Sequence, residues 1–324
     1  MVKAIIVNNL VKNYGSLNAL DRINFQVEEG SVFGLLGPNG AGKTTTIRIL
    51  TGLTRPTSGS AVVLGYDIIN EAVKAKQQIG VVPDTSNIYE ELTAYQNLIF
   101  AAQLYNVPRG LRKQRAHELL ESFGLSERAE DKVAKLSHGL KRRLTIACAL
   151  VHSPSLLFLD EPTTGLDVQS ARQLRSTVKT LGDEGVTVFL TTHYIEEADQ
   201  LCDKVAMINH GSIAVVDSPE KLKASITGSK VTEVSFTGEP KLEELRELPG
   251  VFEVYRLGNR IKLTTGSDEE IIGALVDYGR EKGIKILSMN TLKPTLEDAF
   301  IRITGSSPKP AGENERVRGE KNDV

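Results

Sequence analysis

The octapeptide GPNGAGKT, Gly37 to Thr44, constrains this chain more than any other stretch. It fits G-x-x-x-x-G-K-[ST], which a random chain of this length contains roughly once in a hundred. The apolar run Ser31 to Leu36 ahead of it reads as a buried strand, and Lys43 to Leu50 behind it, free of Gly and Pro, reads as a helix. Gly37, Gly40 and Gly42 admit backbone angles that side chains forbid, so successive N–H groups can turn inward around phosphate oxygens at a helix N-terminus. The candidate nucleotide-binding positions are therefore Gly37, Pro38, Asn39, Gly40, Ala41, Gly42, Lys43, Thr44 and Thr45. Lys43 would reach the β- and γ-phosphates and the Thr44 hydroxyl would take a place on Mg²⁺. The competing reading is a glycine-rich turn before an ordinary helix, and the motifs that follow decide between the two.

With 324 residues the chain can hold two domains with separate cores. A net charge of −2 gives no general attraction to nucleic acid. No apolar run approaches the eighteen or so residues of a membrane helix, and MVKAIIVNNL is too short and polar for a secretory signal, so the expected location is the cytosol. Cys148 and Cys202 lack metal-type spacing and sit in apolar-periodic stretches, as buried reduced thiols do.

In chain order, Lys3 to Leu10 reads as an edge strand, Tyr14 falls in a polar turn, and Ile23 to Val27 forms another strand. On spacing alone Tyr14 is equally an exposed turn residue or an aromatic that stacks on a base. Strands are expected at Ser60 to Leu64 and at Gln78 to Val82, the latter ending at Pro83-Asp84. From Asp84 to Lys135 the pattern turns helical, with Leu92 to Tyr105 and Arg109 to Phe123 as amphipathic segments of an insert spanning about 85–150. The basic cluster Arg109, Arg112, Lys113 and Arg115 is read as a solvated helix face. Ser137 is placed to cap a helix over Lys141 to Val151, a second potential anion site. Ser155 to Leu159 is an apolar strand closing on Asp160 and Glu161; two carboxylates there require a nearby cation, which a Mg²⁺-nucleotide would supply. Val186 to Leu190 delivers Thr191, Thr192 and His193 to the same sheet edge, where open α/β sheets bind ligands. Beyond Gly228 the order βαββαβ suggests a ferredoxin-like module over 229–303, followed by a Pro-, Gly- and charge-rich tail, 304–324, of disordered composition.

The phosphate loop, LSHGL, FLDEP, GLD and TTH, in that order, resemble the ATP-binding subunit of ABC transporters over the first 220 or so residues. Within that family the chain is similar to ATPases of type-2 exporters, the daunorubicin-resistance-like group, whose C-terminal modules end in a segment resembling PTLEDAFIRITG. The resemblance implies an α/β fold, an ABC-type P-loop core with an antiparallel β subdomain and a helical insert over 1–225, plus the C-terminal α+β module. It implies ATP and Mg²⁺ as ligands, with Asp160 on the metal, Glu161 as general base and His193 on the γ-phosphate. It places Tyr14 on adenine, Asp167 in the loop crossing the dimer interface, and Ser137, His138 and Gly139 in the signature that closes over the partner's phosphates. A homodimer with two composite sites and a separately encoded transmembrane permease follow, with the chain on the inner face of the membrane and no nucleic-acid partner. Soluble ABC ATPases of ribosomes or DNA carry two cassettes or a long coiled coil, and a P-loop kinase lacks the signature; this chain fits neither pattern. It departs from the family in two places. The signature has His138 and Leu140 where LSGGQ is usual, and Asp84 stands where a glutamine is expected; as a carboxylate it can still coordinate Mg²⁺, beside Thr44 and Asp160, but it cannot donate a hydrogen bond and it adds negative charge beside the phosphates.

Overall fold

Near-continuous apolar strands buried on both faces build the sheet that carries the phosphate loop, as expected for parallel strands covered by helices. The computed structural model describes residues 2–225, 230–265, 268–292 and 294–305, and the chain divides into two compact units, one ending at Pro219 and one beginning at Glu220. In the first, β1 (Lys3–Tyr14) and β2 (Leu17–Glu28) form a hairpin, β3 (Val32–Leu36) feeds α1 (Lys43–Leu50), and β4 (Ser58–Val63), β5 (Tyr66–Asp67) and α2 (Ala72–Lys76) lead to β6 (Ile79–Val82). The insert comprises α3 (Ala94–Leu104), α4 (Arg109–Ser122), two single 3-10 turns and α5 (His138–Leu150). Then come β7 (Leu156–Asp160), α6 (Val168–Asp183), β8 (Thr187–Thr192), α7 (Ile195–Leu201), β9 (Lys204–Asn209) and β10 (Ser212–Asp217), and α8 (Pro219–Ala224) starts at the boundary between the units.

The six-stranded sheet has the order β10-β9-β3-β8-β7-β6, parallel except for β10. A second, antiparallel sheet has the order β2-β1-β4-β5. Aromatic packing joins them: Phe25 of β2 stacks on Phe33 and Phe189 of the large sheet at centroid distances of 5.4 and 5.9 Å, and Phe158 lies 5.5 Å from Phe189. Truncating one such buried ring to alanine costs roughly 3–5 kcal/mol. The parallel register sets Asp160 opposite Thr191 and Leu36 opposite Thr192, so β3, β7 and β8 end level with one another.

Most expected elements are present with ends shifted by a few residues. Tyr14 differs: it is the last residue of β1, paired with Leu17, rather than part of a turn. β1 continues to it through register irregularities that the alternation up to Leu10 does not announce. The basic cluster of α4 is indeed a largely exposed face. Elements α2, α6, α7, β5, β9 and β10 are not among the sequence-based expectations; α6, for instance, buries only Leu174, Val178 and Leu181 of its 16 residues.

The second unit contains β11 (Lys230–Phe236), α9 (Leu242–Arg246), β12 (Val251–Leu257), β13 (Arg260–Thr265), α10 (Asp268–Lys282), β14 (Ile286–Leu292) and α11 (Leu296–Thr304). Its antiparallel sheet, β12-β13-β11-β14, has the topology of the ferredoxin-like arrangement. Val234, Leu263, Ile271 and Leu275 centre its core. A buried polar cluster that the sequence does not reveal anchors α11. Tyr255 donates its hydroxyl to Asp298, and Lys262 Nζ lies 3.4 Å from Asp298 Oδ1 and 3.7 Å from Glu297. Asp298 also completes a capping box with Thr295. Because α11 runs to Thr304, the expected tail begins later than 304, and from 306 onward it lies outside the described residues.

Candidate functional site

The loop after β3 is shaped by its glycines. Gly42 has φ 109°, and a Cβ on Gly37 would lie 2.2 Å from the Ile208 carbonyl, so neither position takes a side chain without displacement. Gly37 N–H donates to Thr192 O (3.2 Å), tying the loop to the end of β8. The first amides of α1 have no intrahelical acceptor and point toward the loop. Lys43, 4 % exposed, directs its ammonium to Gly37 O (2.8 Å) and Pro38 O (3.0 Å) and pairs with Glu161 Oε1 at 3.1 Å.

Asp160 and Glu161 occupy different environments although adjacent. Asp160 is buried and accepts from the Thr191 hydroxyl at 2.6 Å. Burial raises its pKa, aided by the charges of Asp84 and Glu161, while hydrogen bonds from Thr191 and Thr44 oppose the rise. Glu161 is also desolvated, which alone would raise its pKa. The hydrogen bond with His193 and the charge of Lys43 outweigh that and bring it to about 2. His193 Nδ1 lies 3.1 Å from Glu161 Oε2, which also accepts from Thr164 Oγ1 at 3.1 Å. The Glu161 backbone sits at φ 44°, uncommon for a residue with a side chain, and its N–H is held by Thr191 O and Oγ1, each at 3.1 Å. The cation expected from a Mg²⁺-nucleotide is thus partly provided by the protein: Lys43 balances Glu161, and Arg142 lies beside Asp160.

The remaining predicted residues fall elsewhere. Ser137 caps α5, accepting from Leu140 N–H at 3.3 Å, and both Ser137 and His138 are exposed. Gly139 is buried against α6, where a Cβ would meet Ser170 Oγ at 2.4 Å; Ser170 in turn is bound by Asp167, the N-cap of α6. Ser137, His138, Gly139 and Asp167 therefore form a second cluster. Asp84 is exposed, its carboxylate accepting from Thr85 N–H, and it is near enough to influence Asp160. Tyr14 presents its ring, 43 % exposed, at the end of β1, with Lys12 Nζ 4.8 Å from the ring centre.

Two buried groups are absent from the sequence reading. Arg142 donates to five main-chain carbonyls around the acid pair. Its signal is the position of Arg142 in the run Lys141-Arg142-Arg143: it shares its helix face with buried Thr145, Ile146 and Ala149. Glu197 of α7, 1 % exposed, lies near Thr192, Thr163 and Arg175; burial raises its pKa, and neither carboxyl oxygen makes a well-formed hydrogen bond. Among the described residues no group of three His, Cys, Asp or Glu could hold a metal by itself, and no helix is long and apolar enough to cross a membrane.

A glycine-shaped loop with a buried lysine, an acid pair on the neighbouring strand and a histidine on the next define an ATPase of the P-loop class. Residues 20–164 match the ABC transporter family, and residues 218–304 match the C-terminal domain of ATP-binding proteins of the DrrA1-3 type. The chain belongs to the ATP-binding proteins of ABC transporters, in the exporter group that carries this C-terminal domain. It is 40% identical over 301 residues to the linearmycin resistance ATP-binding protein LnrL of Bacillus subtilis strain 168, covering 92% of this chain and 97% of that one. It is 38% identical over 307 residues to the Nod factor export ATP-binding protein I of Sinorhizobium fredii, covering 94% and 87%. Among solved structures, a dimeric ATP-binding cassette in a post-hydrolysis state with ADP and Pi matches with a TM-score of 0.60 at 26% identity, covering 66% of this chain and 98% of that one.

Proposed function

We propose that this exporter ATPase works as a head-to-tail homodimer with two composite sites, each built from the phosphate loop of one chain and the Ser137–Gly139 segment of the other. The observation that carries the reading is that the Lys43–Glu161–His193 cluster is held within its own chain while Ser137 and His138, at the start of α5, are exposed. Each chain thus offers one of each part, and a two-fold arrangement completes both. Glu161 polarises the attacking water, and a positioned base of this kind contributes roughly 10²- to 10⁴-fold. In the structure the His193 hydrogen bond and the charge of Lys43 together hold it at a pKa of about 2, well below that suited to a base at neutral pH. Arrival of the γ-phosphate draws Lys43 away and leaves Glu161 to His193 and Thr164, which removes the Lys43 share of the lowering and raises its basicity when substrate is present.

The donor set suits Mg²⁺ held jointly by protein and phosphates: Thr44 and Asp160 interact with each other, and Asp84 lies nearby. Bound there, Mg²⁺ would neutralise charge on the phosphates.

The insert supports coupling to a separately encoded membrane permease, which would hold the chain at the inner membrane face. A cavity of about 370 Å³ opens between α3, α5 and the segment after β6, with Tyr89, Phe100, Leu104 and Tyr105 on its wall. Leu104 is 64 % exposed and Tyr89 54 %, apolar surface suited to a protruding helix of the permease. Relatives are named for linearmycin resistance and for Nod factor export; the cargo of this chain's exporter would be recognised by the permease rather than by this chain. The C-terminal unit is read as an interaction or dimer-stabilising module.

The test is to express Glu161→Gln, add Mg²⁺-ATP, and isolate the protein from detergent-solubilised membranes of its own cells. A stable dimer carrying a multi-span membrane protein is expected. Recovery of ribosomes or DNA-bound complexes without a membrane protein refutes the reading.

A further inference from the structure

The side chain of Arg142 is 3 % exposed, yet its polar partners are all main-chain carbonyls. Nε donates to Pro162 O at 2.9 Å, Nη2 to Asp160 O at 2.8 Å and Glu161 O at 3.3 Å, and Nη1 to Pro83 O and, at 3.3 Å, to Asp84 O. One planar, permanently charged group therefore fastens the loops after β6 and β7 to the first turns of α5. These loops contain the two positions whose geometry matters most to the reaction. Glu161 sits at φ 44°, with its N–H fixed by Thr191 and its carbonyl by Arg142, so the backbone conformation that aims its carboxylate is clamped from both sides. Asp84 follows the strand that leads into the helical insert. The charges of Asp160, Asp84 and Glu197 all favour the guanidinium against its burial.

The helix that carries Arg142 is also the one that Ser137 caps, five residues before the buried arginine. Movement of the Asp160–Pro162 loop thus has a rigid route to the exposed start of α5. We propose that Arg142 is a positioning residue for ATP hydrolysis: it sets the backbone of Glu161 and ties that setting to the Ser137–Gly139 segment of the same chain. On the head-to-tail reading, on which the second half of this inference rests, nucleotide at a chain's own phosphate loop is thereby registered at the surface offered to the partner's nucleotide. The arginine touches no substrate; it acts through Glu161 and α5.

The test compares the full chain with Arg142→Lys and Arg142→Gln, measuring Mg²⁺-ATP affinity by equilibrium binding and kcat separately, with circular dichroism to fix the folded fraction. Affinity within about twofold of the native chain, with kcat at least about thirtyfold lower in R142Q and partly restored in R142K, is the expected result. A fall in kcat no larger than the loss of folded protein, or a parallel loss of binding, overturns the proposal. Should both variants fail to fold, hydrogen exchange on the native chain, diluted until light scattering shows a monomer, still decides it. Mg²⁺-ATP is expected to slow exchange several-fold in 137–142 together with 160–164. Slowing confined to 160–164 overturns the link. Since the exchange is read on a monomer, it stands apart from the dimer reading, whose failure would show as Glu161→Gln remaining monomeric with Mg²⁺-ATP.

Discussion

Replacing Glu161 with glutamine removes one charge from a nearly dry ion pair, and its effect on the nucleotide-free chain can be worked out from the site. Lys43 is 4% exposed and Glu161 17%, so solvent screens the pair little. The carboxyl, at about 2 against an ordinary 4.5, is lowered by about 2.5 pKa units, equivalent to about 3 kcal/mol of stability at neutral pH. Because the folded pKa is the lower one, this contribution is complete above about pH 5.5 and is lost as pH falls through 4.5 toward 2. Linkage gives a loss of about 0.8 kcal/mol by pH 4 and about 2 kcal/mol by pH 3. Asp160 has its pKa raised and the opposite slope, but it is common to both chains and largely cancels in the comparison. Urea unfolding of the native chain and Glu161→Gln, followed by circular dichroism from pH 7 to 3, should show the variant less stable by up to about 3 kcal/mol at pH 7 and the gap narrowing below pH 4.5. The same variant should lose about 10²- to 10⁴-fold in kcat. A stability gap that is independent of pH across this range refutes the holding of Glu161 as a carboxylate by His193 and Lys43.

Tyr14→Ala should weaken ATP binding by about 1–3 kcal/mol, whereas Tyr14→Phe keeps the ring and should bind as the native chain does; equal affinities for all three exclude stacking. Asp84→Gln removes a charge that raises the pKa of Asp160, so the ATPase rate should rise and the half-saturating Mg²⁺ concentration should fall at least about twofold. Superimposable Mg²⁺ titrations would discard that role. Asp298→Asn leaves Lys262 without its buried partner and should destabilise the C-terminal unit by about 3–5 kcal/mol, measured as an earlier unfolding transition of that unit; an unchanged transition means the cluster is not what anchors α11.

What could be read in the sequence was local. The loop Gly37 to Thr44 announces itself because phosphate binding needs particular residues at consecutive positions, and α1 matches its expected limits, Lys43 to Leu50, to the residue. Glu161, His193 and Lys43 are each legible as single positions. Their mutual contact is not, because it depends on β3, β7 and β8 ending level in a sheet whose order, β3-β8-β7, differs from the order of the chain. The same holds for charge. Sequence reasoning assigns the compensation of Asp160 and Glu161 to a metal-nucleotide, since the neighbouring positions offer no cation. The sheet brings Lys43 from 118 positions before Glu161, and α5 brings Arg142 from 18 before Asp160. Arg142 is harder still to see: its partners are carbonyls, which every residue possesses, so nothing in the identity of Pro83, Asp84 or Pro162 advertises the contact. In the C-terminal unit, Asp298 looks from sequence like a first-turn helix acid, which it is. Only the sheet shows that Tyr255 and Lys262 converge on it. Motifs therefore identify the groups that meet the nucleotide, while the groups that hold those motifs in place are assigned by topology. A charged residue on the buried face of a helix, as Arg142 is beside Thr145, Ile146 and Ala149, is the one trace of the second kind that a sequence retains.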